Sequence, residues 1–289
     1  MNETPENPYV VVLGIAQDAG YPQANCNKIC CQKAWENSKY IRNVSCIGLV
    51  DPISKDQWVF DVTPDIKTQL NILEKTSNIN PLSGAFLTHA HIGHYTGLIN
   101  FGKEVMGTNN LPVYVMERMR CFLENNAPWD QLVKSSNIKL KSLNDEIPIS
   151  INERVQIMPF LVPHRDEYSE TVGYKIITKE KSLIFIPDID KWYKWHTNII
   201  ELIKKVDYAF LDATFYQNGE LERDMSEIPH PFVSESMNLF STLNDNDKKK
   251  IHFIHFNHTN PLLLKNSKEQ KEVRKLGFKI AEEGQIISL

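Results

Sequence analysis

The segment Thr88-His89-Ala90-His91-Ile92-Gly93-His94 places three of the chain's nine histidines within six residues, directly after the apolar run Ala85-Phe86-Leu87. Imidazole is the commonest protein ligand for catalytic zinc and similar metals. In an extended segment, residues 89 and 91 share one face because side chains alternate with period 2. Gly93 lets the chain turn and carry His94 toward the same point. The bland alternative is three unrelated polar residues in a loop, a density that nine histidines in 289 residues do not favour.

A second cluster lies near the amino terminus, where Cys26, Cys30 and Cys31 crowd into six residues. Five cysteines are few and odd in number, so the cluster points to a metal site rather than a disulfide framework. Cys46 and Cys121 stand alone among apolar neighbours and are expected to be ordinary buried thiols. Three more polar residues stand where apolar runs stop: His164 after Phe160-Leu161-Val162-Pro163, Asp188 after Leu183-Ile184-Phe185-Ile186-Pro187, and His255 within His252-Phe253-Ile254-His255-Phe256. Singly, each reads as a turn or core-edge residue. Together they match a site whose ligands a rigid sheet positions while loops admit substrate. Asp212, His230 and the aromatics Trp192, Tyr193 and Trp195 are candidates of lower standing, and His196 and His252 have no evident partner.

The elements that must position these residues follow from periodicity and turn chemistry. Strands are expected at 9–14, 44–50, 57–62, 83–88, 111–115, 154–162, 172–178, 182–187, 207–211, 251–256, 278–281 and 285–288. Helices are expected at 64–75, 117–124, 197–205, 233–243 and 267–276. Two mixed α/β halves, each rich in strands that end in potential ligands, imply sheets packed together with helices outside.

No composition shift or linker divides the chain, so one domain over residues 1–289 is expected. The 32 basic against 36 acidic residues, with no basic block longer than Lys248-Lys249-Lys250, argue against a nucleic-acid partner bound through charge. No apolar run reaches the roughly 18 residues that span a bilayer, which argues against a membrane protein. Met1 to Pro8 is polar and lacks the apolar centre of a signal peptide, so a cytoplasmic location is the default. A small-molecule substrate and a homodimer complete the expectations.

The order of the ligands resembles the metallo-β-lactamase superfamily, whose signature is His-x-His-x-Asp-His after a strand, then a His, an Asp and a distant His. The resemblance implies a four-layer αβ/βα sandwich of two mixed β-sheets. It also implies that His89, His91 and His164 hold a first metal, and that His94, Asp188 and His255 hold a second, with Asp188 able to bridge. One or two Zn, Mn or Fe ions are the implied active-site cofactors. The signature aspartate is Gly93 here, which removes a carboxylate and leaves the second site weaker, altered or absent. Because that aspartate also orients the nucleophilic water in related hydrolases, Asp188 becomes the remaining candidate for that task, and Asp188, His94 and His255 carry the catalytic expectation.

The blocks Gly20-Tyr21-Pro22-Gln23-Ala24-Asn25-Cys26, Asp61-Val62-Thr63-Pro64-Asp65-Ile66, Leu211-Asp212-Ala213-Thr214-Phe215-Tyr216 and Asn257-His258-Thr259-Asn260-Pro261-Leu262 are similar to the pyrroloquinoline quinone biosynthesis protein B (PqqB) branch. That resemblance implies a structural zinc held by Cys26, Cys31 and His258, with Cys30 as the remaining ligand although the branch pattern is Cys-x-Cys-x-x-Cys. The leading functional expectation is a metal-dependent hydrolase that turns metal-activated water on an ester, phosphoester or similar bond. The branch itself implies an alternative, an iron-dependent oxygenase of quinone-cofactor biosynthesis. A non-catalytic, zinc-stabilised binding protein is a third reading, in which Gly93 marks loss of activity.

Overall fold

A computed structural model describes residues 6–289, so most of the polar segment Met1 to Pro8 lies outside the described residues. One sheet takes β1 (Tyr9–Gly14), β2 (Cys46–Asp51), β3 (Asp56–Phe60), β4 (Gly84–Phe86), β5 (Leu111–Val115) and β6 (Ile138–Ser142). The other takes β7 (Ile149–Ser150), β8 (Gln156–Leu161), β9 (Val172–Ile177), β10 (Ser182–Ile186), β11 (Tyr208–Asp212), β12 (Ile251–Ile254) and β13 (Lys279–Ile280), while β14 (Ile286–Ser288) returns to the first. The orders are β14-β1-β2-β3-β4-β5-β6 and β13-β12-β11-β10-β9-β8-β7.

Both sheets are mixed, and their directions explain why ligands gather at one rim. β1 and β3 are each antiparallel to β2, and β4 is parallel to β3, so β1, β3 and β4 all end on the same edge. β8 and β10 are each antiparallel to β9, and β11 and β12 run parallel to β10, so these four also end together. Isolated bridges from Ala16 to both Val44 and Phe256 tie the two rims to each other.

Burial on both faces accounts for the unbroken apolar strands. In β1, Val10 and Val12 join the core between the sheets, whereas Tyr9, Val11 and Leu13 face the helix side. Phe60 and Phe86 stack at 4.8 Å within the inter-sheet core, and Tyr174 meets Phe60 edge-on at 5.3 Å. Outside the first sheet lie α2 (Ile66–Ser77), α4 (Glu117–Asn125) and α5 (Trp129–Lys134), which contribute Ile66, Leu73, Met119, Leu123 and Leu132 to its outer core. Outside the second lie α6 (Ile199–Lys204), α7 (Val233–Leu239) and α9 (Lys268–Lys275), which contribute Ile199, Ile203, Val233, Met237 and Val273. The result is the expected four-layer sandwich. At the end of β1, a Cβ on Gly14 would fall 1.9 Å from the Val44 carbonyl oxygen, so only glycine permits that strand crossing.

Several elements differ from the sequence expectation. The strand at 83–88 stops at Phe86, because the Thr88 backbone N–H donates to Asp61 at 2.8 Å instead of extending the ladder. The strand at 251–256 likewise ends at Ile254, and His255 takes a left-handed backbone, φ 69°. Helix α1 (Ile29–Glu36), the single turn α3 (Ile92–Tyr95) and the short α8 (Asp245–Lys248) were not expected, nor was β6, whose lysines alternate outward along the sheet edge. Cys121, expected to be buried, is exposed: on α4 the inward stripe is Met119 and Leu123, and Cys121 falls between them on the outer face. Cys46 is buried as expected. Among the described residues no helix is long and apolar enough to cross a membrane.

Candidate metal centre

Each strand that ends on the shared rim delivers a ligand-type side chain. β4 leads to His89 and His91, α3 carries His94, and β8, β10 and β12 lead to His164, Asp188 and His255. The six expected active-site residues come together. His164 Nε2 lies 3.2 Å and His89 Nε2 3.4 Å from Asp188 Oδ2, and His91 Nδ1 lies 4.0 Å from the same oxygen. His89 Nε2 approaches His91 Nδ1 at 2.8 Å, and His164 Nε2 approaches it at 3.3 Å. Nitrogen ligands at 2.0–2.1 Å from one tetrahedral ion stand about 3.3 Å apart, so these spacings fit a single cation.

In His89, His91, His94, His164 and His255 the outer nitrogen is engaged, which turns the inner one toward the centre. Thr88 Oγ1 donates to Asp61 at 2.9 Å and therefore accepts from His89 Nδ1, also at 2.9 Å. His91 Nε2 donates to Glu167 at 3.0 Å, His94 Nδ1 to Asp61 at 2.6 Å, and His164 Nδ1 to Asp190 at 3.2 Å. Thr214 Oγ1, which donates to Asp212 at 2.6 Å, accepts from His255 Nδ1 at 3.0 Å. Such outer partners fix tautomer and ring orientation in metal sites. His255 Nε2 is buried without a hydrogen-bond partner among the described residues, a costly arrangement that a cation would relieve.

The electrostatics agree with a site built for positive charge. Burial opposes protonation of His164, yet Asp188 and Asp190 raise its pKa to about 9. Burial likewise opposes protonation of His94, but Asp61 and Asp18 hold it well above the usual histidine range. Asp188 is held well below the carboxylate range against its own burial, by His164 and His230. His89, buried beside His94, is pushed well below its ordinary value.

Sequence reasoning missed Asp18, Asp61, Asp190 and Glu167 as site residues. Asp61 stood only inside a block of resemblance, and Asp18 carried no local signal at all. Asp18 Oδ1 lies 3.1 Å from His94 Nε2, which puts a carboxylate beside the ring that follows Gly93. Gly93 sits buried inside the single helical turn α3, which brings His94 to the site. His230 is buried in the centre, with Nδ1 2.8 Å from Asp212 and 3.1 Å from Asp188. Asp212 is buried as its partner.

His252 stacks on Phe210 at 4.8 Å, and its Nδ1 donates to the Lys250 carbonyl. Trp192 and Trp195 are packing residues whose indole N–H groups bond Ser236 and the Leu161 carbonyl, while Tyr193 points outward. His196 lines a separate apolar cavity with these aromatics.

The amino-terminal cluster forms a second, separate nest. Cys26, Cys30, Cys31 and His258 offer four donor atoms within 4.8 Å of one another. Cys26 Sγ to Cys30 Sγ is 3.7 Å, and His258 Nδ1 lies 3.6 Å from Cys30 Sγ and 3.4 Å from Cys31 Sγ. Tetrahedral zinc with thiolate and imidazole ligands requires about 3.8 Å between sulfurs and about 3.6 Å between sulfur and nitrogen. The adjacent cysteines reach one point because both sit in the first turn of α1. Burial, together with the neighbouring thiols, pushes the Cys31 thiol up to about 12.

Comparison with known proteins agrees with this geometry. The profile of the beta-lactamase superfamily domain matches residues 57–256. The coenzyme PQQ synthesis protein B of Acinetobacter baumannii (strain ACICU) is 24% identical, covering 97% of this chain and all of that protein. The crystal structure of Zn(2+)-bound PqqB from Methylobacterium extorquens superposes with a TM-score of 0.81 at 21% identity, over 97% of this chain and 100% of that one. A diphosphatase from the PhnP family superposes with a TM-score of 0.68 at 18% identity, over 98% and 97% of the two chains.

Proposed function

We propose that this chain, which belongs to the beta-lactamase superfamily, is a metal-dependent hydrolase acting on an ester, phosphoester or similar bond of a small molecule, with residues 1–289 acting as one unit. The observation that carries this reading is the set of inner imidazole nitrogens turned toward one centre, each ring locked from behind by a protein acceptor. His89, His91, His164 and Asp188 would hold a first Zn, Mn or Fe ion, with His94 and His255 beside them for a second. The cysteine nest with His258 would hold a structural zinc, closed to substrate because no ligand position stays open.

A divalent cation bound in the histidine centre supplies a Lewis acid and acidifies water toward neutrality. Asp188 is the buried carboxylate that faces both halves of the centre, 3.2 Å from His164 and 3.9 Å from His94, and is placed to orient that water. His94 and His255 complete the catalytic set already expected. His230 joins them, its Nδ1 2.8 Å from Asp212 and 3.1 Å from Asp188. A group placed that way suits protonation of a leaving oxygen.

The test is turnover of generic phosphodiester and ester probes by the metal-loaded protein. Activity lost in His91→Ala, with the fold retained by circular dichroism, supports the hydrolase and excludes a purely binding role. The full-length similarity to PQQ synthesis protein B favours a second reading, an iron-dependent oxygenase in quinone-cofactor synthesis. Oxygen uptake by Fe(II)-loaded protein on a tyrosine-bearing peptide, with no hydrolysis of the probes, would favour that reading instead.

A further inference from the structure

A Cβ built on Gly93 would lie 2.4 Å from Asp18 Oδ1 and 2.5 Å from Asp18 Cα. The second contact is with backbone, so no side chain fits at position 93 while the loop after β1 holds its place. That loop is well fixed. Gln17 N–H donates to the Phe256 carbonyl at 2.8 Å, Asn257 Nδ2 donates to Gln17 Oε1 at 2.6 Å, and Gly20 N–H closes a turn onto the Gln17 carbonyl at 2.8 Å.

The space gained is filled by a carboxylate facing two imidazoles. Asp18 Oδ1 is 3.1 Å from His94 Nε2 and 3.7 Å from His255 Nε2. The His255 side chain is fully buried, and its Nε2 has no hydrogen-bond partner among the described residues. With Nδ1 held by Thr214, that nitrogen presents a lone pair that only a cation or a proton donor could satisfy.

We propose that Asp18, His94 and His255 form the second cation site, the loop aspartate supplying the carboxylate that position 93 lacks. The inference rests on the reading of the histidine centre as a metal site and is independent of the reaction catalysed there. Two imidazoles and a carboxylate suit Zn, Mn or Fe(II). Asp188 Oδ2, 3.9 Å from His94 Nε2, reaches the same side and links this site to the first. The loop that carries Asp18 runs on to Cys26, so the thiol site anchors its far end.

Elemental analysis of dialysed protein tests this without reference to activity. Wild type should hold three equivalents of metal: one at the thiols and two at the histidine centre. Asp18→Ala and the isosteric Asp18→Asn should each hold two. Gly93→Asp alone should gain none, since its Cβ meets the Asp18 backbone. Retention of the thiol-bound ion and of the first ion at the histidine centre, with an unchanged circular dichroism spectrum, shows that loss in the Asp18 variants is not misfolding. Retention of all three ions in both Asp18 variants overturns the proposal and leaves the metal reading intact. A wild type with two ions that takes up a third in Gly93→Asp overturns it in the same way. A wild type that holds only the thiol-bound ion overturns both.

Discussion

Nδ1 of His94 lies 2.6 Å from Oδ2 of Asp61, with both side chains fully buried. Asp61 follows β3 with a left-handed backbone, φ 70°, and its carboxylate also accepts from the backbone and hydroxyl of Thr88. One carboxylate therefore ends the β4 ladder, orients His94 directly and orients His89 through Thr88. Asp61→Asn keeps the shape but loses the charge that holds both rings. It should weaken metal binding at the histidine centre by about 10–100-fold, the effect typical of outer partners. Chelator competition measures this, and an unchanged affinity would show that Asp61 serves the fold alone.

The thiol nest should act on stability rather than turnover. Cys31→Ser should lose one zinc equivalent and lower the melting temperature by on the order of 5–10 °C, the shift that a few kcal/mol produces in a chain of this size. His91→Ala should keep that ion. Calorimetry beside metal analysis of the two variants separates the sites.

Tyr174 on β9 reaches across the inter-sheet core, and its hydroxyl donates to the Leu87 carbonyl just before the histidine segment. Tyr174→Phe leaves that carbonyl buried without this partner and should cost about 1–3 kcal/mol. Urea unfolding measures the loss. A change within a few tenths would mean that the carbonyl finds another donor.

Stability should also depend on Glu283. Burial raises its pKa from 4.5 to about 7, although it accepts a hydrogen bond from the Asn43 backbone. Because the folded state binds the proton more tightly than the unfolded chain, this carboxyl favours folding most below pH 4.5. Its contribution falls as pH rises to about 7 and is level above that. Glu283→Gln keeps an acceptor for Asn43 and should flatten the pH dependence over that window, with its largest gain above pH 7. Denaturation series at pH 5 and pH 8 should show a larger difference between variant and wild type at pH 8.

The sequence by itself determined most of the strands, their packing as sheets with helices outside, and ten ligand-type residues, because those signals are local. Apolar runs buried on both faces mark strands, and histidines or acids at their ends mark the rim. The thiol cluster was legible for the same reason, though the helix that lets Cys30 and Cys31 face one point was not. What the tertiary structure alone decided is how distant backbone approaches bring acids to the rings. Asp18 and Gly93 are 75 positions apart, and neither carries a pattern that names the other. Only the close packing of the β1 loop against α3 turns an apparently missing aspartate into one supplied from elsewhere, since two atoms cannot share the space that position 93 gives up.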